Sequence, residues 1–136
     1  MKAIVDTGFL VSFLHSDDQF HAWALEVLPT LDAPMLTCEA ILAEAAFHLR
    51  SSDAVLQLVE AGMLRIAFEV AEQLPALREL AGRFADRSPD LADLCLIRMS
   101  ELHPKHVVVT VDEADFRIYR RNKREAIPLL CPPRRR

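Results

Sequence analysis

Four carboxylates in this chain occupy positions from which a hard cation could be held. Asp6 directly follows the apolar run Ala3-Ile4-Val5, and Asp112 directly follows the β-branched run Val107 to Val111. In an open parallel α/β sheet the loops at the carboxyl ends of the strands line one crevice, and ligands bind there. If the two strands lie side by side, Asp6 and Asp112 face one another. Each alone also has the form of a helix N-cap, an Asp between strand and helix accepting a backbone N–H. Glu44 and Asp93 differ in kind, because they fall where helical spacing asks for something apolar. Ala40, Ile41, Phe47 and His48 share a helical face with Glu44, while Asp93 has Leu96 and Ile97 on one side and Pro89 and Asp90 on the other. An ionised carboxylate near a core costs several kcal/mol unless it is partnered. Arg50 and Arg98 are the candidates for a structural ion pair, and a cation shared among the carboxylates is the other solution. All the donors are oxygens, with no His or Cys at ligand spacing beside them, which selects Mg²⁺ or Mn²⁺ over Zn²⁺. His21 is expected on a helix face beside Trp23, His48 at the edge of the core, and neither they nor His103 are needed as ligands.

The elements that must carry these residues alternate between strand and helix. Lys2 to Val5 reads as a strand, followed by helical runs from Thr7 to about His15 and from about Asp18 to Leu31. Pro34 to Thr37 is a second strand, Cys38 to Arg50 a helix, and Ser51-Ser52-Asp53 offers caps for another that stops at Gly62. Met63 to Val70 is predicted as a third strand, Ala71 to Asp86 as an amphipathic helix, and Asp90 to Leu102 as a helix ended by His103-Pro104. Val107 to Val111 is the clearest strand, apolar enough to be covered on both faces. A short helix from Glu113 to about Arg121 and a strand near Ile127 to Leu130 complete the chain. The alternation implies an α/β fold on a parallel sheet. No repeat and no linker interrupts it.

At 136 residues the chain has the length of one ordinary domain, taken as 1–136 with a basic tail at about 131–136. Its apolar half is spread along the sequence, as in a folded globular protein, and no run reaches the ~18 residues of a membrane span. Asp6 interrupts the only N-terminal apolar stretch, so no secretory signal is legible and a cytoplasmic location is expected. Cys38, Cys95 and Cys131 are widely spaced and are read as reduced thiols rather than a disulfide framework or zinc site. The net charge of −4 is polarised: residues 117–136 carry +7 and residues 1–116 carry −11. Such asymmetry points to a polyanionic partner, although Arg134-Arg135-Arg136 also reads as a solvated tail.

Ile4-Val5-Asp6-Thr7-Gly8-Phe9-Leu10 resembles the opening motif of the PIN domains, and within them of the VapC-like toxins of prokaryotic toxin–antitoxin pairs. Asp18 through His21 to Trp23-Ala24 is similar to the segment that follows. Leu36-Thr37 to Leu42-Ala43-Glu44 resembles the second motif, and Pro89-Asp90-Leu91-Ala92-Asp93 with Leu96 through Glu101 resembles the third. Val109-Thr110-Val111-Asp112-Glu113-Ala114-Asp115-Phe116 resembles the fourth. The resemblance covers nearly the whole chain, and its strength is that four weak patterns occur in order. It implies a PIN-like three-layer fold, a five-stranded parallel sheet flanked by helices, with metal held chiefly by Asp6 and Asp93. Glu44 and Asp112 complete the acidic site, and Asp90 is an outer-shell candidate. Leu94-Cys95 and the extra Asp115 depart from the usual pattern and blur the outer shell, where Asp115 is a further candidate.

What the resemblance implies chemically is hydrolysis of an RNA phosphodiester by a metal-activated water, leaving 5′-phosphate and 3′-hydroxyl ends. Thr7 and Thr110 are candidates to hold the carboxylates by hydroxyl hydrogen bonds, with capping and sheet packing as the plainer alternatives. The implied partners are RNA, a small antitoxin protein and a second copy of the chain, with no membrane role. Phe9, Phe13, Phe20 and Trp23 either form a docking face or belong to the core. A receiver domain is excluded because Val70-Ala71-Glu72 and Cys131-Pro132 stand where its phospho-acceptor Asp and its Lys are required. A haloacid-dehalogenase-like phosphatase needs a second Asp where Gly8 stands, and the three glycines form no phosphate-cradling cluster. The non-enzymatic alternative is an inactive PIN-like scaffold that binds RNA or protein.

Overall fold

A computed structural model describes residues 1–134. Five strands form one parallel sheet: β1 (Ala3–Val5), β2 (Met35–Thr37), β3 (Leu64–Ile66), β4 (Val107–Val109) and, after a hairpin described below, β7 (Leu129–Leu130), in the order β3-β2-β1-β4-β7. Parallel neighbours cannot be joined by tight turns, so the helices are their crossovers. These are α1 (Thr7–Leu14), α2 (His21–Val27), α3 (Glu39–Leu49), α4 (Ser52–Glu60), α5 (Leu74–Arg83), α6 (Leu91–Leu102) and α7 (Glu113–Ile118). The chain winds outward from β1 to β2 and β3, then returns to lay β4 on the other side of β1. That reversal between β1 and β4 creates the crevice in which the sequence motifs meet.

β1 is wholly buried, which is why its residues are apolar without alternation. It pairs with β4 at Ala3–Val107, Ile4–Val108 and Val5–Val109, and the ladder continues when the Asp6 amide donates to the Val109 carbonyl at 3.0 Å. The register therefore fixes Asp6 beside the segment that follows β4. α6 buries Ala92, Leu94, Cys95, Leu96, Ile97, Met99 and Ser100, and so runs through the core rather than along its surface. α1 packs on α3, and α3 on α4 and α6.

Gly8 makes this closeness possible. A methyl group placed on it would overlap Cγ2 of Val111, in the loop leading to Asp112. Helix propensity alone would make Gly8→Ala stabilising by up to about 1 kcal/mol. Overpacking against a stiff β-branched side chain costs about 1–3 kcal/mol and prevails here. Gly8→Ala is expected to lower the chemical-denaturation midpoint, and a raised midpoint would show that the loop yields freely.

Several predicted elements have different bounds. Met63 to Val70 contributes only Leu64–Ile66 to the sheet, because β3 is an edge strand whose sole partner, β2, is three residues long. Val107 to Val111 leaves the sheet after Val109, and Asp18 to Leu31 is helical only over His21–Val27, followed by a 3₁₀ turn at Leu28–Thr30. The helix expected from Glu113 to Arg121 stops at Ile118. Arg120–Arg121 (β5) instead forms an antiparallel hairpin with Glu125–Ala126 (β6), turning through positive φ at Asn122 and Lys123. Arg121 is buried in this hairpin and donates to the Ser100 carbonyl and hydroxyl on α6 and to Glu125.

The basic segment is accordingly less free than its composition suggests. Besides Arg121, Arg117 and Arg134 both pair with Glu113, and Arg120 donates to backbone carbonyls. Arg135 and Arg136, the end of the expected basic tail, lie outside the described residues. The early aromatics are largely core: Phe9 is buried edge-to-face against Trp23, and Phe13 and Trp23 pack partly covered on the same cluster. His21 donates from Nδ1 to the Ser12 carbonyl. Cys38, Cys95 and Cys131 are free, the first two buried. Among the described residues no helix is long and apolar enough to cross a membrane.

Candidate active site

Asp6 ends β1 and caps α1, where its Oδ1 accepts from the Thr7 amide at 2.7 Å. Its Oδ2 accepts from the hydroxyl of Thr110, the residue after β4, also at 2.7 Å. That hydroxyl in turn accepts from the Asp112 amide at 3.0 Å, so Thr110 links the carboxylate of one strand end to the loop of the other. On α3, Glu44 accepts from the Thr7 hydroxyl at 3.1 Å. Asp93 lies in the first turn of α6 behind its N-cap Asp90, whose side chain accepts from the Asp93 amide at 2.8 Å. Asp112 caps α7 and accepts from the Asp115 amide. Asp6, Glu44, Asp90, Asp93, Asp112 and Asp115 all line one cleft of about 650 Å³. Thr7 lines it too, and Thr110 is buried behind Asp6.

The cleft is short of positive charge. Arg98, an expected partner, pairs with Glu101 and Gln73 instead, and among the described residues no Lys or Arg forms a salt bridge with Asp6, Glu44, Asp93 or Asp112. Burial therefore acts uncompensated. It pushes the Asp6 carboxyl up to about 6, against the two hydrogen bonds that lower it and with Asp112 and Glu44 adding repulsion. Burial first, then the charges of Asp90, Asp6 and Asp112, pushes Asp93 up to about 7, and Asp112 is also raised mainly by burial.

The carboxylates share the cleft without forming a ready-made ligand cage. Among the described residues, no three His, Cys, Asp or Glu side chains stand together closely enough to hold a metal ion as placed. Each carboxylate is instead held by its own donor, Asp6 by the Thr110 hydroxyl, Asp112 by the Asp115 amide and Glu44 by the Thr7 hydroxyl. The chemistry of the donor set still fits a hard divalent ion. The donors are all oxygen and partly desolvated, and among the described residues none of the four is ion-paired to a Lys or Arg.

Two further residues shape the cleft without a sequence signal. Tyr119 is wedged between Phe84 and Phe116 at ring separations of 5.2 and 5.3 Å, and its hydroxyl donates to Asp93 Oδ2 at 3.2 Å. Burial and the neighbouring Asp93 hold the phenol above its usual range, so it remains a donor. Arg87 is the one Lys or Arg lining the cleft and is paired with no acid among the described residues. One expectation fails here: Phe47 and His48 do not cover Glu44 in the core, since both are exposed and the buried residues of α3 are Ile41, Leu42 and Ala45.

Thr110→Val tests the link between the strand ends. The substitution keeps volume but leaves Asp6 Oδ2 and the Asp112 amide without their partner. Losses of this supporting kind typically reduce metal affinity or activity about 10- to 100-fold. A Thr110→Val protein with a native kcat and native metal requirement would make the hydroxyl merely structural.

The chain belongs to the PIN domain family, whose model matches residues 3–122. PIN domains are generally nucleases and generally use divalent metal ions, and the parallel α/β sheet found here is the fold that membership implies. No curated protein matches the chain.

Proposed function

We propose that this chain is a Mg²⁺- or Mn²⁺-dependent endoribonuclease that hydrolyses RNA phosphodiesters and serves in the cytoplasm as the toxin of a toxin–antitoxin pair. The observation that carries the reading is the group of carboxylates, Asp6, Asp93 and Asp112 raised by burial and Glu44 beside them, drawn from four separate segments into one cleft and, among the described residues, ion-paired to no Lys or Arg. The resemblance of the four acidic motifs to VapC-like toxins supports the finer assignment, and with it a homodimer and a small antitoxin partner.

In this mechanism Asp6 and Asp93 would hold the ion, with Glu44 and Asp112 in support. A bound divalent ion lowers the pKa of a water and offsets negative charge developing on the phosphate oxygens. Thr110 and Thr7 orient the carboxylates of Asp6 and Glu44 by hydroxyl hydrogen bonds. Tyr119 orients Asp93. Asp90 and Asp115 lie at the edge of the cleft, where they can order water. Arg87 offers a guanidinium to a phosphate beside the cut. No covalent nucleophile is required.

Digestion of structured and unstructured RNA, with added Mn²⁺ and with EDTA, tests the reaction class. Cleavage is expected with Mn²⁺ and none with EDTA. Cleavage that survives EDTA would exclude the mechanism, and failure to cut any RNA with Mn²⁺ present would favour the scaffold.

A further inference from the structure

Phe47 has the highest exposure among the large apolar side chains of the described residues, at 79%. Its ring stands edge-to-face with His48, the centroids 5.6 Å apart. With Arg50, Ser51 and Ser52 the pair lines a hollow of about 820 Å³ at the end of α3. His48 lines both this hollow and the carboxylate cleft, and Glu44 lies one turn earlier on the same helix, so the two depressions share a wall. Their charges differ: the cleft is ringed by acids, whereas the hollow has none in its lining and holds Arg50. Arg50 is fixed in the left-handed C-cap of α3, directly before Ser51 caps α4, and makes no ion pair among the described residues.

We propose that Phe47, His48 and Arg50 form a binding platform for a nucleobase and its adjoining phosphate in single-stranded RNA that runs out of the carboxylate cleft. The inference rests on the ribonuclease reading and deepens it by naming residues that would hold the substrate strand beside the cleft. Every base has a π-face, so an exposed aromatic ring beside a catalytic cleft binds a strand with little sequence preference. A guanidinium three residues further on meets the backbone phosphate that accompanies the base. Bases within a duplex are already stacked and cannot lie on the ring, so the platform selects unpaired strands.

The test uses the native chain in EDTA, where binding is read without hydrolysis. The probe is a single-stranded RNA of about ten nucleotides carrying one 2-aminopurine, followed by anisotropy and by the quenching that stacking produces. Phe47→Ala is expected to weaken binding on the order of tenfold and to abolish the quenching. Phe47→Trp should keep both, and Phe47→Leu, which keeps apolar volume, should lose the quenching. Native affinity and quenching in the Ala and Leu variants would overturn the platform. So would a Phe47→Ala protein whose oligomeric state changes in light scattering while its RNA affinity does not, because the face would then contact protein. Phe47-dependent binding without cleavage under Mn²⁺ would keep the platform and remove the nuclease. Cleavage and binding indifferent to Phe47 would do the reverse.

Discussion

Asp93→Asn is expected to abolish RNA cleavage, by at least about a thousandfold in kcat, in a protein that folds as the native chain does. Asparagine keeps the size of the side chain and leaves Tyr119 a carbonyl oxygen to donate to. The Asp90 cap is untouched, because it accepts from the backbone amide of residue 93. What is lost is one negative charge in a cleft where Asp90, Asp6 and Asp112 already oppose it. Removing a charge under such repulsion does not destabilise an ion-free fold, so a loss of activity here is a loss of chemistry. Thermal melting in EDTA checks the fold and initial cleavage rates check the site. Full activity would remove Asp93 from the mechanism, and loss of activity together with a collapsed melting temperature would make it structural.

The second large effect is on stability against pH. Asp6 rises from an ordinary 3.8 to about 6 and Asp93 to about 7, so in this range the folded chain binds protons more tightly than the unfolded chain. The contribution is fully present below about pH 4 and is lost as pH rises through the folded values. For Asp6, which is buried, the loss is on the order of 3 kcal/mol. The lowered imidazoles of His103 and His106 act in the opposite sense, since their contribution is present above the unfolded value and lost as pH falls. Comparison with Asp6→Asn cancels them, because both proteins share those histidines. In EDTA the native chain should lose stability relative to Asp6→Asn between about pH 4 and about pH 6 and run parallel to it above that. Mn²⁺ should restore the native chain at pH 8 and have little effect at pH 5, where protons compete for the same oxygens. A native chain that tracks Asp6→Asn across this window would mean that the Asp6 carboxyl is not raised by its burial.

How far the sequence speaks depends on whether a signal is local. Asp6 was legible because an apolar strand stops at it, whereas the adjacency of β1 and β4 stood only as a condition in the sequence and is supplied by the sheet order β3-β2-β1-β4-β7. Glu44 was legible for a partly mistaken reason. The buried stripe of α3 runs through Ile41, Leu42 and Ala45, while Phe47, whose size drew the periodicity toward itself, faces out. Tyr119 gave no signal, since its place depends on Phe84 and Phe116 closing around it from other elements. The hairpin was hidden because its turn takes positive φ at Asn122 and Lys123 without a glycine. Arg121 read as part of a free basic stretch, yet it is buried against Ser100. The spacing of the carboxylates was beyond reach as well. Sequence shows which carboxylates are brought toward one cleft, whereas their separations depend on donors such as Thr110, Thr7 and the Asp115 amide, contributed by the assembled fold.

Binding of Mn²⁺ to the metal-free chain at neutral pH, followed by electron paramagnetic resonance, tests most directly whether these carboxylates form an ion site. Saturable binding is expected in the native protein, strongly weakened in Asp6→Asn and in Asp93→Asn and unchanged in a control such as Glu60→Gln on the exposed end of α4. Binding of equal strength in all four proteins would place any ion elsewhere and leave the acidic cleft without the role given to it.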